Sequence, residues 1–175
     1  VAVMTAMSDA AKMGVMVKGA KYFESFAKAD TIVFDKTGTL TEAQPRLACV
    51  LTTDGWSEDE ILRLSACLEE HFPHPVARAV VHAAHERGLE HRERHAAVEY
   101  IVAHGIASSI EGRRAIIGSA HFVFEDESAQ LDSDIKERIE SQMQGLSPLY
   151  LAVDGTVVGV LGIEDPLKPG VREAI

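Results

Sequence analysis

The run Asp35-Lys36-Thr37-Gly38-Thr39-Leu40-Thr41 holds the residue types of a phosphoryl-transfer site. A carboxylate such as Asp35 can act as a nucleophile toward a phosphoryl group. Lys36 adds positive charge beside it. Gly38 permits a tight turn, and the hydroxyls and backbone N–H groups of residues 37–41 can cradle phosphate oxygens. A short apolar segment, Thr31-Ile32-Val33-Phe34, precedes the run. Its length and polar borders predict a buried parallel strand. Asp35 would then stand at the strand's carboxyl end, where open α/β sheets place their ligands.

The seven residues 35–41 resemble the phosphorylation signature of P-type ATPases, cation pumps that pass through an aspartyl-phosphate. The resemblance implies that Asp35 takes the γ-phosphoryl of ATP, with Mg²⁺ bridging carboxylate and phosphate. It also implies that Thr37 lends a backbone carbonyl to Mg²⁺, a hard ion that prefers oxygen ligands. Related phosphatases of the haloacid-dehalogenase type carry a second Asp two positions after the nucleophile, which activates water against the phosphoenzyme. Here that position is Thr37. Without a general acid/base, an aspartyl-phosphate persists long enough to drive a conformational step, which favours a pump over a phosphatase.

A second motif lies at Glu69-Glu70-His71-Phe72-Pro73-His74-Pro75, between two predicted helices. His74-Pro75 resembles the His-Pro dipeptide in the nucleotide domain of heavy-metal (P1B) pumps. In that family the His orients adenine, and a Glu five positions earlier contacts it; that position is Glu69. Imidazole can stack on or hydrogen-bond a purine, and a carboxylate can accept from the exocyclic amine. Pro75 would present His74 at a helix start. The family's Gly-x-Gly turn is matched only at its second glycine, Gly105, with Ala103 at the first. Its Gly-Asn near the phosphates is matched by Gly118-Ser119, with Ser119 in place of Asn. A Cβ at Ala103 narrows the approach to ATP, and Ser119 donates a hydrogen bond with less reach than Asn.

The elements that must position these residues follow from the pattern. Residues 1–28 are expected to be helical with a break near Gly14 and Gly19, and 14–20 resembles the link from membrane stalk to phosphorylation domain in heavy-metal pumps. Residues 46–53 read as a strand and Asp54-Gly55 as a turn. Ser57 with Glu60 three residues on reads as a capped helix start, running to about residue 70. A second helix is expected from Pro75 to about residue 87, ended by Gly88. Strands follow at 98–102, 106–110 and 115–117, with Glu111-Gly112 turning between the last two. Residues 121–127 read as a packed strand edge entering an acidic loop, and 133–144 as a charged helix ended by Gly145. Strands at 149–153 and 156–163 flank the hairpin signal Asp154-Gly155. The segment 162–169 resembles the family's re-entry into the phosphorylation domain.

The expected fold class is α/β. An α+β nucleotide-binding domain, an antiparallel sheet flanked by helices, is inserted in an incomplete Rossmann-like, haloacid-dehalogenase-type phosphorylation domain. The expected division is 1–28 stalk or end of a transmembrane helix, 29–44 first part of the phosphorylation domain, 45–160 nucleotide-binding domain, and 161–175 the truncated second part.

Composition bounds the rest. The chain has 175 residues, 46% hydrophobic and 25% charged, as in soluble globular proteins. Its net charge of −10 argues against nucleic acid as a partner. A negative surface also repels ATP at long range, so a nucleotide site must rely on local donors. Cys49 and Cys67 are too far apart for a CxxC motif and read as reduced residues of a reducing compartment. No apolar run reaches the roughly 18 residues of a membrane span. Taken with the resemblance, the chain reads as a soluble cytoplasmic fragment of an integral pump at the cytoplasmic face of the plasma membrane. The implied partners are ATP, the remaining parts of the pump, and a transition or heavy metal ion as cargo. The sequence holds no Thr-Gly-Asp after the return segment and no Gly-Asp-Gly-x-Asn-Asp, so it is expected to turn over little ATP alone. Two other readings stay open: a non-catalytic nucleotide-binding or interaction module, and a soluble phosphatase of the same superfamily. His82/His85 and His91/His95 have spacings that can bind Zn²⁺, and read better as solvated helix surface.

Overall fold

The computed structural model describes residues 2–89, 99–101, 105–110 and 112–175. His91, His95, Val98, Val102, Ala103 and Glu111, all used above, lie outside them. Two compact units are present, residues 1–35 and 36–175.

In the first unit, helix α1 (Ala2–Lys12) ends where the sequence breaks. Gly14 takes a left-handed φ of 78°; its N–H bonds the Ala11 carbonyl at 3.0 Å and the Val15 N–H bonds Ala10 at 2.9 Å. That pairing is a Schellman C-cap, which glycine adopts without a Cβ penalty. Helix α2 (Ala20–Ala27) follows. The strand expected at 31–34 is not formed: the segment is irregular, with Ile32 72% and Val33 90% exposed. A strand exists only by pairing, and all six strands among the described residues pair with one another in a separate antiparallel sheet.

In the second unit that sheet runs in the order β1-β6-β5-β4-β3-β2. The strands are β1 (Arg46–Thr52), β2 (Glu99–Ile101), β3 (Gly105–Ile110), β4 (Arg113–Gly118), β5 (Ser147–Val153) and β6 (Thr156–Glu164). The β3–β4 and β5–β6 hairpins turn at the expected glycines, Gly112 and Gly155, both with positive φ. Helices α3 (Glu58–Glu69) and α4 (Pro75–Glu86) cover one face through Ile61, Leu62, Leu68 and Val80, packed with Ile106, Ile117, Leu151 and Leu161. Helix α5 (Ser133–Gln142) contributes Ile135 to the other face, with Phe122, Tyr150, Ala152 and Val160. Because both faces are covered, β5 and β6 read as continuous apolar runs rather than alternating ones.

The α3 start forms as its residues dictate. Ser57 Oγ accepts from the Glu60 N–H, and the Glu60 carboxylate accepts from the Ser57 N–H at 2.9 Å. Residues 121–126 correct the expected strand edge: they form a helical turn with Phe122 and Val123 fully buried. Its acids point outward, and the His121 ring lies 3.0 Å from Glu125 one turn on. Three consecutive apolar residues, Phe122 and Val123 fully buried and Phe124 partly so, followed by acids, lack the alternation of an extended edge and suit a single wound turn. Both cysteines are free, Cys67 buried and Cys49 half-buried.

Candidate functional site

The expected site residues fall into three groups. Asp35 ends the first unit and is exposed. Lys36 and Thr37 begin the second and are also exposed. Residues 36–40 form a kinked turn: Thr37 is extended, at φ −76° and ψ 122°, and Gly38 is left-handed at φ 78°. The turn therefore uses the conformational freedom of Gly38, as the residue types require.

This turn is tied to a distant part of the chain. Thr41, 1% exposed, donates its hydroxyl to Asp165 Oδ2 at 2.6 Å, and Thr41 Oγ1 in turn accepts the Gly38 N–H at 3.1 Å. Backbone bonds run from Glu42 N–H to the Pro166 carbonyl at 2.8 Å and from Lys168 N–H to the Leu40 carbonyl at 2.9 Å. The Lys168 ammonium also donates to the Gly38 carbonyl. Asp165 Oδ1 is buried without a hydrogen-bond partner. The sheet domain between these segments thus leaves and returns at one place. Sequence reasoning singled out residues 162–169 but gave Asp165 and Lys168 no role, and read Thr41 only as part of a phosphate cradle. No local pattern links positions 124 apart; in the structure the pairing includes a strand-like bridge between Thr41 and Leu167.

The second group is Glu69 and His74. Glu69 ends α3 and is 8% exposed, and burial pushes its carboxyl up to about 7. His74 is the N-cap of α4: its Nδ1 accepts from the Val76 N–H at 3.3 Å. That bond leaves the proton of the neutral ring on Nε2, as an exposed donor. Pro75 occupies the first helical turn, where no N–H is needed.

The third group is Gly105, Gly118 and Ser119. Gly105 and Gly118 are direct cross-strand partners, and Ser119 follows, exposed. Ser119 Oγ accepts from the Phe122 N–H at 3.4 Å, so the hydroxyl also starts the next turn. A Cβ at residue 105 would lie 2.3 Å from the Phe122 ring and 2.5 Å from the Ile117 carbonyl oxygen. The glycine is required first by packing. A ligand can approach the opposite side of this strand, where any L-residue presents only Hα. Chain neighbours of the second and third groups share one apolar cluster, which holds Ile106 and Ile117 with Phe72 and Val76 packed on it. A separate groove of about 470 Å³ runs between residues 43–47 and α4, lined by Arg46, Arg78 and His82; Glu69, His74 and Gly105 do not line it.

Asp35 and Thr37 each carry a hard oxygen donor, a carboxylate in the first unit and a carbonyl in the second. Two such donors suit Mg²⁺, which keeps several waters and binds through substrate phosphates. No group of three or more His, Cys, Asp or Glu gathers among the described residues. No helix there is long and apolar enough to cross a membrane.

Residues 29–175 match the haloacid dehalogenase-like hydrolases. The chain is 34% identical over 174 residues to the probable copper-exporting P-type ATPase V of Mycobacterium tuberculosis, covering 99% of this chain and 22% of the relative. It therefore spans about a fifth of that relative's length. A crystal structure of a zinc-transporting PIB-type ATPase in its E2.Pi state superposes with a TM-score of 0.70 at 27% identity, over 99% of this chain and 28% of that one. The N-domain of HMA8, a copper-transporting P-type ATPase, matches with a TM-score of 0.61 at 25% identity, over 68% of this chain and 99% of the N-domain.

Proposed function

Given that the chain belongs to the haloacid dehalogenase-like hydrolase family, we propose that it is the nucleotide-binding and phosphoryl-accepting region of a heavy-metal P-type ATPase. The observation that carries this reading is the closure of the signature turn on the return segment. Thr41 bonds Asp165, and Leu40 and Glu42 pair with Lys168 and Pro166. A nucleotide domain inserted in a phosphorylation domain needs such a paired exit and entry.

The residues divide the work. Residues 45–160 are the nucleotide-binding domain, its last strand running on to Glu164. Residues 29–44 and 161–175 belong to the phosphorylation domain, and 1–28 to the stalk. Glu69 and the Nε2–H of His74 address the adenine. Gly105, Gly118 and Ser119 offer backbone and hydroxyl contacts on the neighbouring strands. Asp35 attacks the γ-phosphorus of ATP through a carboxylate oxygen: the new O–P bond forms as the bond to the β-phosphate oxygen breaks and ADP leaves. Lys36 offsets negative charge at the phosphates. The Asp35 carboxylate and the Thr37 carbonyl would hold Mg²⁺, which would supply charge neutralisation at the phosphates. Thr37 offers no base to activate water, so the aspartyl-phosphate outlives the transfer step, as a pump requires and a phosphatase does not. The cargo is a transition or heavy metal ion; the relatives differ in the metal they carry, copper or zinc. The pump would hold this region at the cytoplasmic face of a membrane. The chain alone, without the acidic motifs named above, turns ATP over slowly.

Calorimetric titration of the full chain with ATP tests this reading, beside His74→Ala and His74→Asn. Asparagine caps helices as well as this histidine does, so it separates capping from ligand contact. Saturable binding to the parent that weakens on the order of tenfold in both variants is expected. Binding retained in His74→Asn would remove the ring from the site.

A further inference from the structure

The groove between residues 43–47 and α4, about 470 Å³ in volume, has no part in the nucleotide site described above. One wall is the segment that follows the signature turn and enters β1, and it carries Arg46. The other wall is a face of α4, which carries Arg78 and His82 beside the short side chains of Ala79 and Ala83. Among the described residues Glu86 is the only acid that lines it. Both guanidinium groups keep free donors. Arg78 gives one N–H to the Pro73 carbonyl at 3.0 Å, and Arg46 stands 3.6 Å from Glu42, beyond ordinary hydrogen-bond reach. Each arginine has five N–H donors in a fork that matches a carboxylate. On a chain of net charge −10, a groove with an arginine on each wall is a local reversal of sign.

The shape narrows the class of guest. Arg46, Arg78, His82 and Glu86 are all exposed, so the trough is open, whereas a small-molecule site encloses most of its ligand. Along α4 the groove runs from Pro75 to Glu86, a rise of about 16 Å, which is the length of about five extended residues. Ala43 and Gln44, on the opposite wall, are exposed and make no backbone hydrogen bond among the described residues, so their polar groups are open to a guest's main chain. Successive side chains of an extended segment point to opposite sides, so consecutive acids reach both walls.

We propose that this groove docks an extended acidic segment of a partner protein, whose carboxylates pair with Arg46 on one wall and Arg78 on the other. The chain's own acidic run does not supply that segment. Residues 125–127 lie in and beside a wound turn, with Glu125 3.0 Å from His121 and Glu127 held by two bonds from Arg114. Nucleic acid is disfavoured because the net negative charge of the chain repels a long polyanion. A segment held by both walls ties the residues just after the signature turn to the helix that His74 caps.

Amide chemical-shift mapping of the full chain, titrated with acetylated and amidated pentaglutamate, tests the proposal. Saturable shifts are expected at residues 43–47 and along α4. The dissociation constant should rise at least about tenfold in Arg46→Glu and in Arg78→Glu, and on the order of tenfold between about 50 mM and about 500 mM salt, because the paired charges are exposed. Arg78→Glu also removes the bond to Pro73; where that disturbs the start of α4, Arg46→Glu decides alone. No saturable shifts from a folded chain, equal binding of pentaglutamine, or equal affinity for citrate as a small organic anion overturns the proposal. Self-association of the chain in sedimentation velocity that Arg46→Glu abolishes also overturns it, by assigning the groove to a second copy. Each of these results leaves the nucleotide site standing.

Discussion

Replacing Gly105 by alanine separates two reasons for a glycine. Its φ lies outside the left-handed region, so no backbone strain attends the change. The added Cβ would instead sit 2.3 Å and 2.6 Å from two carbons of the Phe122 ring and 2.5 Å from the Ile117 carbonyl oxygen. Each contact must open by roughly 1 Å to reach an ordinary van der Waals separation. Phe122 is fully buried among Ala107, Ile116 and Tyr150, so the ring cannot withdraw freely, and the carbonyl belongs to the paired strand β4. Overpacking of this kind costs about 1–3 kcal/mol. For a domain of this size each kcal/mol lowers Tm by roughly 2–4 °C. Urea denaturation followed by circular dichroism reads the cost, and a Phe122→Leu background reads its origin. In that background the alanine should cost about 0.5 kcal/mol less or better, because the ring contact is relieved while the carbonyl contact remains. ATP affinity of the folded Gly105→Ala chain should change little. Unchanged stability with lost ATP binding would refute the reasoning and show that the ligand, rather than Phe122, excludes a side chain at this position.

Three other perturbations follow from the same geometry. Glu69 titrates near 7 when folded and near 4.5 when unfolded, so the folded state holds its proton longer and stability falls as pH rises through that window. Glu69→Gln should therefore match the parent near pH 4 and exceed it by about 1–3 kcal/mol at pH 8 in urea titrations; equal stability at both would contradict the burial argument. Thr41→Val removes the bond to Asp165 and the acceptor for Gly38, so the Gly38 amide should exchange hydrogen at least about tenfold faster by NMR, with a loss of about 1.5–3 kcal/mol. Ser57→Ala breaks the capping box at α3 and should cost about 1 kcal/mol, whereas Ser57→Asp should keep most of it.

Local chemistry made much of this chain legible from its sequence. Ser57 with Glu60, Pro75 after His74, and the glycines at 14, 88, 112, 145 and 155 each dictate a local conformation, and the elements begin or end there. Covered sheets announced themselves as unbroken apolar runs at β5 and β6. Long-range pairing was not legible. The segment 31–34 has the composition of a buried strand, but composition supplies no partner strand, and the segment is exposed. The Thr41–Asp165 bond joins residues that no periodicity relates. Gly105 was read for its approach to a ligand, and the tighter demand comes from Phe122, which the sequence placed in a strand edge rather than a buried turn. Glu69 was legible by type and spacing, while its burial depends on how α3 meets α4 and the sheet.

The central claim is that residues 45–160 hold a nucleotide through Glu69, His74, Gly105, Gly118 and Ser119. Amide chemical-shift mapping of the full chain, titrated with ATP and Mg²⁺, tests it most directly. The account predicts saturable shifts concentrated at the α3–α4 connection and at the paired ends of β3 and β4, with α5 and the β5–β6 turn unmoved. Saturable shifts confined to the groove between residues 43–47 and α4, or no shifts from a folded chain, would contradict it.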